Sequence, residues 1–228
     1  MFARFNFLNC CFDSRAKNKQ VPMRLGESIV AQTRWMLLKT IDYLSNDGKV
    51  RKWDLVSRTT KKDNGPDAVF IIPILKSKKN GSIDTLLIEQ YRPPLDMYSI
   101  EFPAGLVDEG ETIEDAALRE LREETGYIGT VDTTFQPKDL CMTPGLTDET
   151  VQIVLVNVDL DAKENQNPKQ ETEDGEFIVV KRVPLMVGVK TALGDTSCMA
   201  ISLLHSFAMG LEIGATHLSH TRSAEKES

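Results

Sequence analysis

The chain has 228 residues, 41% hydrophobic and 27% charged, with a formal net charge of -7 at pH 7. That balance suits one folded core with a small appended subdomain. With no dense Lys/Arg run, it argues against nucleic acid or an anionic membrane surface as partner. Cys10, Cys11, Cys141 and Cys198 lack C-x-x-C spacing and the three histidines are scattered, so no zinc site is expected and free thiols suit a reducing compartment.

No apolar run reaches the roughly 18 residues needed to span a bilayer, and no signal-peptide pattern opens the chain, so secretion is not expected. Residues 1–24 are expected to form a disordered tail. Arg4, Arg15, Lys17 and Lys19 against Asp13 give it a faint likeness to a mitochondrial presequence. The expected location is cytoplasmic, extending to the nucleus, with mitochondrial delivery through residues 1–20 as the alternative.

From Ser28, SIVAQTRWMLLKTIDYL and KVRKWDLVSRTT flank Asn46-Asp47-Gly48, a hairpin turn signal. Residues 25–64 therefore read as a small antiparallel β subdomain. AVFIIPIL and DTLLIEQYR follow on either side of the KSKKNGS turn, with the length and composition of central strands. YSIEFPAG is a short strand entering a glycine-bearing loop. Thr112 and Asp115 form the T-x-x-D of a capping box, which predicts a helix from about Ile113 to Thr125 ended by Gly126. Its Ile113, Ala117 and Leu121 make an apolar stripe that can pack on a sheet.

VQIVLVNVDL reads as a strand, DAKENQNPKQETEDGE as a long polar loop and FIVVKRV as a strand. From Pro184 to about Gly214 two helices are expected, broken near Gly194, with Ile201, Leu204 and Ala208 on one face of the second. Residues 65–215 thus make the main α/β domain, and 216–228 are expected to be a disordered tail.

The helix poses an electrostatic problem. Glu120, Glu123 and Glu124 fall at i, i+3 and i+4, so their carboxylates share one face, where each like pair costs about 0.2–0.5 kcal/mol. Each raises the pKa of the others unless a cation intervenes, and hard oxygen ligands suit Mg²⁺ or Mn²⁺. The alternative is a solvated, salt-bridged face in which Arg119 pairs with Glu123.

The surroundings decide between them. From Gly105, GLVDEGETIEDAALRELREETGY spells G-x5-E-x7-R-E-U-x-E-E-x-G-U, where U is a bulky apolar residue. This resembles the Nudix box of the Nudix hydrolases, departing only at Tyr127, where an aliphatic residue is usual. The resemblance implies an α/β/α sandwich around a mixed sheet and metal-dependent hydrolysis of a nucleoside diphosphate linked to another group. It further implies Mg²⁺, with Mn²⁺ able to substitute, held by Glu120 and Glu124, then Glu123, with the Ala104 carbonyl completing the shell. Arg119 would orient the glutamates.

WDLVSRTT, EQYRPP, IEFPAGLVDEGET, MTPGL and DGEF, in that order, resemble the ADP-sugar pyrophosphatase branch, which hydrolyses ADP-ribose. That likeness implies cleavage of ADP-ribose to AMP and ribose 5-phosphate by a homodimer whose N-terminal sheet helps build the partner's site. Trp35 and Trp53, the two tryptophans, would sandwich the adenine, with Asp54 contacting ribose or base. Arg58 and Arg92 would clamp phosphate, Glu101 would bind metal or substrate, and Glu176 in the loop would act as general base. Two alternatives stand beside this: a Nudix hydrolase of another nucleotide, such as an oxidised nucleoside diphosphate or a different nucleoside diphosphate sugar, and a non-catalytic ADP-ribose binding module.

Overall fold

The computed structural model describes residues 20–136 and 138–217. The targeting expectation for the N-terminus and the two tail expectations lie outside the described residues, except at their inner ends. There, Met23 and Arg24 already belong to a strand, and the last helix runs on to His217. Two compact units are formed. Of the described residues, one contains 20–61 together with Thr143–Glu149, and the other those of 62–142 and 150–217.

In the first unit β1 (Met23–Gln32), β2 (Met36–Leu44) and β3 (Val50–Arg58) form an antiparallel sheet in that order. Gly48 turns the β2–β3 hairpin at φ 78°, its N–H donating to the Ser45 carbonyl at 2.9 Å. The apolar run from Ser28 is not continuous. It breaks at Thr33–Trp35, where the Thr33 hydroxyl accepts from the Met36 amide at 3.1 Å, so Trp35 lies in a turn rather than in the sheet. All ten residues of β1 are exposed. The free edge of β3 takes the returning segment: Val56 N–H donates to the Leu146 carbonyl at 2.9 Å, and Val56 bridges Thr147 in parallel.

Among the described residues the second unit is built on a nine-stranded mixed sheet. Its strands are β4 (Ala68–Lys76), β5 (Ile83–Arg92), β6 (Met97–Glu101), β7 (Ala104–Leu106), β8 (Thr130–Val131), β9 (Leu140–Cys141), β10 (Thr150–Asp159), β11 (Ile178–Pro184) and β12 (Met199–Ala200). β4 runs parallel to β10 along its whole length, and β12 parallel to β6; the remaining pairs are antiparallel. The β4–β5 hairpin pairs only at Leu75–Asp84 and Lys76–Ile83. Beyond that the strands part, β4 taking β7 and β5 taking β6 and β11, and the end of β6 and start of β7 run through this split.

Alternate residues of the long strands feed two cores, because successive side chains point to opposite faces. Val69, Ile71 and Leu75 of β4 with Val154, Val156 and Val158 of β10 pack against Ala116, Ala117 and Leu121 of helix α1 (Ile113–Thr125). Ile72 and Ile74, with Ile153 and Leu155, meet α2 (Gly188–Asp195) and α3 (Ser202–His217) through Val189, Leu204 and Phe207. Burial on both faces is why AVFIIPIL and VQIVLVNVDL read as unbroken apolar runs. The expected helix break near Gly194 holds the extra strand β12, which pairs with β6 through Met199 and Ala200, so Ile201 precedes α3 rather than lying on its face. Among the described residues no helix is long and apolar enough to cross a membrane.

The start of α1 follows its sequence. The Thr112 hydroxyl accepts from the Asp115 amide at 3.1 Å, and Glu114 and Asp115 face the positive end of the helix dipole. Thr112→Ala is expected to cost about 1 kcal/mol, read as a lowered midpoint in thermal unfolding.

Candidate active site

Two glycines let α1 sit where it does. A Cβ on Gly105 would lie 1.9 Å from the Glu120 carboxyl carbon, so only a bare backbone lets that carboxylate rest against β7. Gly126 closes the helix at φ 76°, its N–H donating to the Arg122 carbonyl at 2.7 Å, and a Cβ there would meet the Lys169 backbone at 2.3 Å. Gly105→Ala is expected to displace Glu120 and lower kcat by about 100-fold or more, with far-UV circular dichroism unchanged.

Arg119 is the hub of the glutamate face. Its Nε and Nη2 donate to Glu111 at 2.8 and 2.9 Å, and Nη2 also reaches the Leu106 carbonyl at 2.9 Å. Nη1 donates to Glu120 at 2.8 Å and to Glu123 at 3.0 Å. Arg119 in turn holds the Glu111 carboxyl below its usual range, mainly through that hydrogen bond. Glu111 is therefore the anchor that fixes Arg119, a role its position among the motif residues did not reveal.

Glu124 points the other way, into the protein. It is 5% exposed and accepts from the Ala104 amide at 3.0 Å. Burial pushes its pKa up to about 8; the Ala104 N–H opposes this, and the charges of Glu120, Glu176 and Glu101 add to it. Burial also raises Glu120, against the pull of Arg119 and with Glu123 and Glu176 adding to the rise. Glu176, near the tip of a loop turned by Gly175 at φ 89°, thus shares its field with buried Glu124 and half-buried Glu120.

The loop carrying Glu176 is less free than its polarity suggests. Buried Asn165 accepts from Ile128 N–H and donates to the Ile128 and Asp159 carbonyls, all at 2.9 Å. Gln170 donates to the Glu124 and Ile178 carbonyls at 2.7 and 3.0 Å, and Arg122 pairs with Glu171 at 2.8 Å. The exposed tip is left to the stretch around Glu173–Glu176, where Glu176 accepts from the Glu173 amide at 3.3 Å.

Glu101 is buried and fully engaged. Arg92 grips it through Nε and Nη2 at 2.7 and 2.8 Å, and the Ser99 hydroxyl donates to it as well. Its carboxylate therefore fixes Arg92 in this structure, and the hydrogen bond strengthens that guanidinium's hold on its proton. Ser99 carried no signal in the sequence.

In the first unit both tryptophans are exposed, Trp35 at 60% and Trp53 at 47%. Trp53 Nε1 donates to the Gly145 carbonyl at 3.3 Å, and its ring, with Tyr43, Ile41, Met23 and Pro144, lines an open groove. Arg34 lies over the Trp35 ring, 4.4 Å from its centre. Asp54 accepts from the Thr40 hydroxyl at 2.5 Å, and Arg58 Nε donates to Glu149 at 2.5 Å. In the β2–β3 ladder Ile41 faces Trp53 and Met36 faces Arg58, so Trp35 stands about six residue steps, roughly 20 Å, along the sheet from Trp53.

Among the described residues no three His, Cys, Asp or Glu side chains meet as a ready-made metal cluster. Glu123 is drawn to Arg119, and Glu124 to the Ala104 amide. The donors nevertheless fit a hard divalent cation: a buried and a half-buried carboxylate whose pKa values neighbouring glutamates raise gain from a positive charge beside them, and carboxylate oxygens are the ligands such ions take.

A NUDIX domain profile matches residues 65–193. An uncharacterized Nudix hydrolase of Schizosaccharomyces pombe is 42% identical over 190 residues, 82% of this chain and 90% of its own length. A Mus musculus protein named ADP-sugar pyrophosphatase is 40% identical over 159 residues, 70% of this chain and 72% of its own. The crystal structure of an ADP compounds hydrolase superposes with a TM-score of 0.56 at 23% identity, covering 79% of this chain and 86% of that one, which is a likeness of fold. With the profile spanning more than half of the sequence and the glutamate helix seated on the glycine of β7, the protein belongs to the Nudix family.

Proposed function

We propose that the protein hydrolyses the pyrophosphate of ADP-sugars, cleaving ADP-ribose to AMP and ribose 5-phosphate with Mg²⁺, or with Mn²⁺ in its place. The observation that carries this is the half-buried Glu120 set against Gly105 beside the buried Glu124, together with 40% identity to a relative named ADP-sugar pyrophosphatase. Nudix hydrolases depend on divalent metals in general. Glu120 and Glu124 would hold the ion, with Glu123 and the Ala104 carbonyl beside them. When bound, it supplies a Lewis acid that neutralises the pyrophosphate and activates a water.

The chain's own groups do the rest. Arg119 keeps Glu120 and Glu123 oriented, itself locked by Glu111. Glu176 accepts the proton of the attacking water as a new P–O bond forms and the bridging P–O bond breaks, releasing AMP and ribose 5-phosphate. Arg92, set by Glu101, and Arg58 offer guanidinium groups to phosphate oxygens. Trp35 and Trp53 stack on the adenine and Asp54 contacts the ribose or base. Because the two indoles of one chain stand far apart on the sheet, a sandwich assigns them to different chains of a homodimer. β1, exposed along its length and carrying Met23, Leu25, Ile29 and Val30 on that exposed surface, suits that association. A cytoplasmic or nuclear site of action belongs to the same proposal, and imaging a C-terminally tagged chain tests it.

A substrate panel with and without Mg²⁺ tests the activity. Metal-dependent AMP release from ADP-ribose is the expected result. Rapid turnover of ADP-glucose or oxidised dGDP with none of ADP-ribose would move the substrate elsewhere in the family. Tight ADP-ribose binding without AMP release would make the protein a binding module.

A further inference from the structure

We propose that Glu149 is a positioning residue for Arg58, holding the guanidinium by Nε so that its terminal amines are presented to a substrate phosphate. The proposal rests on the reading above, in which Arg58 meets phosphate. Arg58 ends β3 with its side chain 42% exposed, and a long side chain on an open strand end samples many rotamers. Glu149, at 24%, is the more buried partner and, among the described residues, accepts only from Nε, at 2.5 Å. Among the described residues no hydrogen bond uses the two terminal amines of Arg58. The edge that a phosphate takes bidentately is therefore left open.

The competing view is an ordinary surface ion pair, which contributes little to anything. Three further contacts separate this pair from that class. The same Thr143–Glu149 segment binds Trp53 through the Gly145 carbonyl at 3.3 Å, Val56 through the Leu146 carbonyl at 2.9 Å, and Ser57 through Asp148 at 2.6 Å. Four residues of β3, including two of its three side chains assigned to substrate, Trp53 and Arg58, are thus fixed by one segment about 90 positions away in the chain.

A double-mutant cycle on the full chain with Mg²⁺ tests this, with steady-state kinetics on ADP-ribose and calorimetric binding of ADP as separate readouts. Glu149→Ala is expected to raise KM for ADP-ribose and Kd for ADP by about three- to tenfold, leaving kcat within about twofold. In an Arg58→Ala background it is expected to add nothing further. Glu149→Gln, which still accepts the Nε–H and guards against misfolding as the explanation, should restore most of the loss. Equal effects of Glu149→Ala in both backgrounds would overturn the proposal, as would tighter binding, which would mean that Glu149 competes with phosphate. Failure of the wild type to cleave ADP-ribose would sink the proposed activity instead, and the ADP cycle would still decide the coupling. Absence of any Arg58 dependence in ADP binding overturns the positioning role outright.

Discussion

Glu124→Gln is expected to lower kcat on ADP-ribose by on the order of 10³-fold while making the metal-free protein more stable. The two effects have one cause. Glu124 is buried, and Glu120, Glu176 and Glu101 all disfavour its charge, so in the absence of a cation the ionised side chain is a burden on the fold. Glutamine keeps an oxygen for the Ala104 amide and removes the charge. Thermal melts in chelator should therefore rank the variant above the wild type, with a wider gap at pH 9 than at pH 6. A variant that lost activity and stability together would show that Glu124 serves the fold rather than a cation.

The second large effect is a coupling between metal binding and protons. The Glu124 pKa is raised from 4.5 to about 8. A carboxyl raised in the folded state retains a proton that the unfolded chain has already lost. The stability this group contributes is fully present below about 4.5 and is lost as pH rises through about 8, amounting to a few kcal/mol at most. Metal needs the ionised form, so binding at pH 7 should release about one proton and affinity should climb up to about pH 8, then level off. Calorimetry in buffers of different ionisation enthalpy measures the proton count directly. No proton release at pH 7 would mean that Glu124 is not a ligand.

Much of the active helix was legible because its signals are local. Thr112, Asp115 and Gly126 mark its ends within the chain, and spacing alone puts three glutamates on one face. What spacing does not show is how they divide: Glu123 toward Arg119, Glu124 inward to β7, and Glu120 against Gly105. The central strands were legible as apolar runs because helices cover both faces. The two-residue strands β8, β9 and β12 were not, since pairing with a distant partner, not their own sequence, makes them strands. β4 and β5 follow one another across the KSKKNGS turn, yet they pair only beside it, because β7 takes the far end of β4 and β6 the far end of β5. Long-range partners stayed hidden for the same reason: nothing near Arg92 or Arg58 in sequence names Glu101 or Glu149.

The most direct measurement is product analysis of ADP-ribose incubated with the wild-type protein and with Glu124→Gln, each with Mg²⁺ and with chelator. AMP and ribose 5-phosphate are expected in equal amounts from the wild type with Mg²⁺ and at no more than trace level in the other three samples. AMP release that persisted in chelator, or in Glu124→Gln at the wild-type rate, would contradict the assignment of these helix glutamates as a metal cradle for pyrophosphate hydrolysis.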